Sequence, residues 1–141
     1  MTDKFADQRH NMASARLTGS CHCGGVAYAV TGPLRDVVAC HCSQCRKTSG
    51  HYVAATNAPK SAVTLTSDDT LTWYHASESA RRGFCNRCGG NVFWEPKDRS
   101  DMSIFAGTLD GPTGLTCVEH IFAQDKGDYY DLPAGAKVRD E

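Results

Sequence analysis

Seven of the eight cysteines fall into three tight groups, and no other feature restricts the fold as much. They are Cys21 and Cys23 in "GSCHCGG", Cys40, Cys42 and Cys45 in "ACHCSQCRKTSG", and Cys85 and Cys88 in "FCNRCGG". In a reducing compartment such density points to metal or redox chemistry rather than to disulfides. Residues i and i+2 of an extended segment face the same side, so Cys21 and Cys23 can turn toward one ion. The C-x-x-C turn of Cys85 and Cys88 is followed by Gly89 and Gly90, whose freedom lets backbone amides approach the sulfurs. That is the spacing of a metal knuckle. A thioredoxin-type redox pair would need a helix starting at the motif within a βαβ unit, and neither is apparent.

Thiolate-rich tetrahedral sites suit zinc, ahead of iron or an iron–sulfur cluster. Two partitions satisfy the spacing. Cys42 and Cys45 could join Cys85 and Cys88, which strands Cys21, Cys23 and Cys40. Alternatively Cys21 and Cys23 join Cys85 and Cys88, leaving Cys40, Cys42 and Cys45 as a set of three. The second partition uses every clustered cysteine. Four thiolates close a structural zinc site, whereas three leave a position open for chemistry.

Arg46 and Lys47 directly follow Cys45, and are expected either as solvated charge or as receptors for a substrate carboxylate. His22 and His41 lie between cysteines, so in an extended backbone they face away from the ion and read as polar surface residues. His51, His75 and His120 are isolated and have no claim to metal. Cys117 alternates with Val118 and reads as a small buried hydrophobe.

Around these groups the chain reads as many short strands. "GVAYAVTG" (25–32) alternates Val26, Tyr28 and Val30 before a Gly-Pro turn. "AVTLT" (62–66) and "TLTWYHA" (70–76) flank Ser67-Asp68-Asp69, the pattern of a hairpin. "NVFWE" (91–95), "DMSIFAG" (101–107) and "LTCVEHIFA" (115–123) continue the series, and a short helix is expected after Cys42. The expected fold is mainly β, with Val26, Tyr28, Val53, Leu65, Trp73, Phe84, Phe93, Ile104 and Val118 in its core.

A length of 141 residues suits one domain with one core. The net charge of -1 gives no footprint for nucleic acid or an acidic membrane. No apolar run approaches the roughly 18 residues of a membrane helix. Residues 1–15 include Asp3 and Asp7 and lack the apolar stretch of a signal peptide. A cytoplasmic protein is expected, with a flexible tail over 1–15 and a single domain over 16–141.

Taken in order, "GSCHCGGVAYAV", "CHCSQCRKTSG", "FCNRCGGNVFW", "AGTLD" and "EHIF" resemble the glutathione-dependent formaldehyde-activating (GFA) family, which includes centromere protein V. The resemblance implies a β-tent fold of short antiparallel strands organised around two zinc sites. It assigns Cys21, Cys23, Cys85 and Cys88 to a structural zinc, and Cys40, Cys42 and Cys45 to a catalytic one. The activity it implies is that of a carbon–sulfur lyase in formaldehyde detoxification, joining glutathione to formaldehyde as S-hydroxymethylglutathione. The sequence departs from the family pattern at His51-Tyr52 and at Asp128-Tyr129, both expected to line the substrate pocket. Two other classes stand beside the enzyme: a zinc-scaffolded binding module without turnover, and a thiol or metal buffer built on Cys40, Cys42 and Cys45.

Overall fold

The computed structural model describes residues 16–141; the tail expected over 1–15 lies outside the described residues. Among the described residues eleven strands and one short α-helix follow in order: β1 (Arg16–Ser20), β2 (Ala27–Thr31), β3 (Val37–Cys40), α1 (Ser43–Ser49), β4 (Val53–Pro59), β5 (Val63–Ser67), β6 (Leu71–Tyr74), β7 (Ala80–Cys85), β8 (Asn91–Pro96), β9 (Asp101–Phe105), β10 (Cys117–Ile121) and β11 (Lys137–Val138). The fold is mainly β, as expected. A three-stranded sheet has the order β1-β2-β5, and an eight-stranded sheet runs β11-β10-β3-β4-β9-β8-β7-β6. Most pairings are antiparallel, but β10 runs parallel to both β3 and β11.

The core forms where the two sheets face each other. The alternation of "AYAVT" buries Tyr28 and Val30 of β2. Across from them lie Ala58 of β4, Met102 and Ile104 of β9, and Phe93 of β8. The rings of Tyr28 and Phe93 pack at 5.3 Å with a 60° tilt. Each such side chain, taken fully out of water, contributes about 1.5–3 kcal/mol. Phe93→Ala would remove this contact and leave a cavity, at a cost of about 3–5 kcal/mol. The hydroxyl of Tyr28 meets Thr108 Oγ1 at 2.7 Å. Gly19 is required opposite it, because a Cβ there would collide with the Tyr28 hydroxyl.

The expected core holds at Val26, Tyr28, Val53, Phe93 and Ile104, all buried. Trp73 packs from the edge, half-buried. Phe84 is half-buried as well. Leu65 and Val118 are exposed instead, at 41% and 45%. Leu65 lies on β5, an edge strand whose central residues Thr64, Leu65 and Thr66 are all exposed, and Val118 sits where β10 shifts register against β3, so neither follows a simple alternation.

The expected hairpin at Ser67-Asp68-Asp69 is a turn but not a hairpin. The Leu71 amide donates to Asp68 O at 3.1 Å and turns the chain. However, β5 then pairs with β2, whereas β6 pairs with β7 in the other sheet. The turn carries the chain from one layer to the other.

Candidate metal centres and the adjoining cleft

The structure gathers the clustered cysteines as four plus three. The sulfurs of Cys21, Cys23, Cys85 and Cys88 lie within 4.8 Å of one another, and so do those of Cys40, Cys42 and Cys45. All eight cysteines are free thiols.

The four-thiol cluster joins the turn between β1 and β2 to the turn between β7 and β8. Backbone amides point at its sulfurs: Val26 N donates to Cys21 Sγ at 3.3 Å, and Arg87 N and Cys88 N donate to Cys85 Sγ at 3.3 and 3.4 Å. Gly89, at φ 77°, allows that tight turn, since the left-handed region is costly for other residues. Thr70 Oγ1 lies 3.1 Å from Cys85 Sγ, and its hydroxyl is the main cause that lowers the Cys85 thiol to about 5. Four soft sulfur donors with amide support fit a closed tetrahedral metal such as zinc.

The three-thiol cluster is built by the end of β3 and the start of α1. Cys42 caps the helix, its sulfur accepting from Cys45 N at 3.3 Å, and Gly50 ends the helix at φ 81°. That turn folds Cys45 back toward Cys40 and Cys42. The Cys45 thiol is lowered to about 5, first by a hydrogen bond from Cys40, with Arg82 adding to the effect. Cys40 is raised in turn, chiefly by that same hydrogen bond. One thiolate is thus already stabilised within the cluster. Three thiolates in this arrangement suit the same class of metal.

His41 does face away from the cysteines, but it is not a surface residue. It is fully buried, with Nδ1 2.5 Å from the Tyr130 hydroxyl and Nε2 2.9 Å from His120 Nδ1. Burial, then the neighbouring His120, lowers His41 to about 4. His120 is buried too, so it is not the isolated histidine its sequence context suggests. Two long-range contacts, from β10 and from the segment carrying Tyr130, thereby hold the loop that carries Cys40 and Cys42. His51 meets the Tyr129 hydroxyl at 2.7 Å, and the His51 and Tyr52 rings lie 4.3 Å apart. This group of rings gathers around His41, and none of its members lines the cleft beside Cys40, Cys42 and Cys45. The pocket-lining role expected of His51, Tyr52, Asp128 and Tyr129 therefore falls to other residues.

That cleft has a volume of about 470 Å³ and opens on the outer face of the eight-stranded sheet. Its floor follows from the two-residue period of a strand. Val53, Ala55 and Asn57 of β4 point into it, while Thr56 between the last two, and Ala58 beyond them, point to the buried side. Ser103 and Phe105 of β9, Trp94 of β8 and Arg82 of β7 continue the same face. The register aligns them, with Arg82 opposite Trp94, Trp94 opposite Ser103, and Ser103 opposite Asn57.

Arginines mark the cleft, but Arg46 and Lys47 are not among its lining residues, which leaves the solvated-charge alternative for that pair. Arg46 donates to Asp125 O at 3.2 Å, Lys47 is exposed, and neither lines the cleft. Arg82 is buried within the cleft at 4% exposure, donating through Nε to Gln44 Oε1 at 2.8 Å and through Nη2 to Cys45 Sγ at 3.4 Å. Arg35 and Arg99 lie among the lining residues as well. An arginine inside a strand just before a cysteine knuckle is the only sequence signal for Arg82, since charged residues are seldom buried. Phe122 also lines the cleft, in the left-handed region at φ 53° and ψ 39°, which nothing in its sequence announces. Cys117 is exposed rather than buried, at the start of β10.

Comparison with known proteins agrees with these motifs. Residues 16–125 match the family described as glutathione-dependent formaldehyde-activating enzyme, GFA. A Halomonas elongata protein, provisionally named a glutathione-dependent formaldehyde-activating enzyme, is 31% identical over 134 residues, spanning 87% of this chain and 85% of that protein. A crystal structure of a Rhodobacter sphaeroides protein superimposes with a TM-score of 0.58 at 26% identity, over 67% of this chain and 89% of that one. The chain belongs to the GFA family.

Proposed function

We propose that this protein is a zinc-dependent carbon–sulfur lyase of GFA type, acting on the adduct of a thiol such as glutathione and a small aldehyde such as formaldehyde. The observation that carries the reading is the three-thiol cluster of Cys40, Cys42 and Cys45 opening onto an arginine-flanked cleft, beside a four-thiol cluster that needs no further ligand. In this reading Cys21, Cys23, Cys85 and Cys88 hold a structural zinc and residues 16–141 act as one domain. Cys40, Cys42 and Cys45 hold the catalytic zinc. When bound there, zinc supplies a Lewis-acid position that favours a thiolate and polarises a carbonyl.

In the synthetic direction the thiol sulfur bonds to the carbonyl carbon of formaldehyde. The thiol gives up its proton, the carbonyl π pair moves to oxygen, and that oxygen takes up one proton in its place, so the product is the sum of thiol and aldehyde; the lyase direction is the reverse. The chain contributes charge and enclosure. Arg82 holds a fixed cation against Cys45 and offsets the negative charge of three thiolates. Val53, Ala55, Phe105 and Trp94 form an apolar wall that limits competing water. Eight free thiols suit a reducing setting, and we place the protein in the cytoplasm. Among the described residues no helix is long and apolar enough to cross a membrane.

The test is exchange spectroscopy on ¹³C-formaldehyde and glutathione at equilibrium, with the zinc-loaded protein added. Adduct exchange is expected to accelerate above the spontaneous rate, and Cys42→Ala is expected to abolish the acceleration. Exchange at the spontaneous rate with both clusters metallated would move the protein to the binding-module or buffer class.

A further inference from the structure

Away from the sulfurs, the cleft carries a second chemical feature. Arg35 and Arg99 both line it and both are exposed. Arg99 is neutralised by Asp101, donating through Nε and Nη2 at 2.9 and 2.7 Å. Among the described residues the Arg35 side chain is held by carbonyls: Nη2 donates to Ala55 O at 3.0 Å and Nε to Asp36 O at 3.2 Å. Among the described residues no carboxylate forms an ion pair with it. Partial burial of its guanidinium, and then the charge of Arg99, both disfavour the Arg35 cation. Asp101 is engaged by Arg99, and Asp101 and Glu119 act on Arg35 only from a distance, so an incoming anion can pair with the Arg35 guanidinium directly.

The position of that charge follows from the strand register. Cys40 pairs with Val53, and Ala55, whose carbonyl holds the Arg35 guanidinium, lies two residues further along β4. Two strand residues span roughly 7 Å. A thiol held at Cys40, Cys42 and Cys45 thus has Arg35 within the same cleft, a short way along β4.

We propose that Arg35, with Arg99 beside it, receives a carboxylate of the thiol substrate and is the residue by which the cleft distinguishes a free carboxylate from its ester. The inference rests on the lyase reading for the word substrate, but recognition by Arg35 can be measured without turnover. Arg35 is a specificity residue here, and Arg82 remains the cation at the sulfur end. The guanidinium fork matches a carboxylate in two parallel hydrogen bonds, which a neutral ester cannot reproduce.

The experiment is calorimetric titration of glutathione and of glutathione diethyl ester into the zinc-loaded protein, its Arg35→Met variant and a Lys47→Met control. The native protein is expected to bind the free acid at least about 10-fold more tightly than the diester, the scale of one hydrogen-bonded charge pair. Arg35→Met is expected to lose that preference by weakening the acid only, and Lys47→Met to keep it. Because Arg35 is exposed and its partners are backbone carbonyls, the variant is expected to fold; Arg99→Met, expected to reduce the preference, serves as a second probe. Equal binding of acid and diester by the native protein would overturn the proposal. So would an Arg35→Met variant that still discriminates, or a Lys47→Met variant that does not. Adduct exchange followed on the same samples tests the lyase reading separately: acid-selective binding without accelerated exchange would sink that reading and leave the Arg35 assignment standing.

Discussion

Arg82 Nη2 lies 3.4 Å from the sulfur of Cys45, while its Nε donates to Gln44 Oε1 on the same turn of helix α1. One buried guanidinium thus ties β7 to the helix that presents the three-thiol cluster, and places a positive charge against it. Groups that hydrogen-bond a metal ligand from behind typically account for about 10–100-fold in affinity. Arg82→Met is therefore expected to weaken metal binding at Cys40, Cys42 and Cys45 by that factor and to spare the four-thiol cluster. Competition with a chromophoric chelator would show one weakened and one unchanged site. Equal weakening of both would mean that Arg82 acts through global stability.

The two clusters should also differ in what their loss does to the fold. Cys85 is fully buried within the main core, whereas Cys42 is half-buried at the cleft. A structural zinc site can contribute on the order of 10 kcal/mol to folding. Cys85→Ala is expected to unfold the domain, and Cys42→Ala to leave it folded but inactive. Circular dichroism melts distinguish them, and equally severe unfolding by both would remove the catalytic assignment of Cys42.

Phe122 inverts an ordinary rule. Glycine usually destabilises a site relative to alanine, but a left-handed φ of 53° costs a residue with a Cβ about 1 kcal/mol. Phe122→Gly is expected to be more stable than Phe122→Ala by about that amount, because both lose the same ring and only glycine relieves the backbone. Denaturation midpoints of the pair read the sign, and an alanine variant as stable as the glycine one would show that the strain is absent.

Tyr28 gives a pH dependence of known direction. Thr108 donates its hydroxyl to Phe105 O at 2.7 Å, so the Tyr28 hydroxyl must donate to Thr108. Burial raises Tyr28 from an ordinary 10.0 to about 12. The unfolded chain therefore ionises first. The stability this group contributes is whole below about pH 10 and is lost as the pH rises toward 12, an effect of about 2–3 kcal/mol. Tyr28→Phe is expected to be flatter than the native protein across that window. If unfolding at alkaline pH falls equally steeply in both, Tyr28 is not the group responsible.

What the sequence determined by itself is what short range determines. The cysteine groups with their glycines, the helix after Cys42, the alternation of Tyr28 and Val30, and the strand character of most segments all follow from neighbours a few residues apart. Their chemistry was legible for the same reason, since a thiol ligand is recognised by type and spacing. Tertiary structure decided everything that depends on which strand lies beside which. The turn at Ser67-Asp68-Asp69 looks like a hairpin locally, but the available partners put β5 and β6 in different sheets. His41 is buried because β10 and Tyr130 arrive behind it. Arg82, Trp94, Ser103 and Asn57 form one row only because four strands pair in one register. A one-residue slip in any of those strands would turn its member of the row to the opposite face. The candidate ligand groups can thus be read from local spacing, whereas their gathering as four plus three, and the cleft beside them, exist only once distant segments have come together.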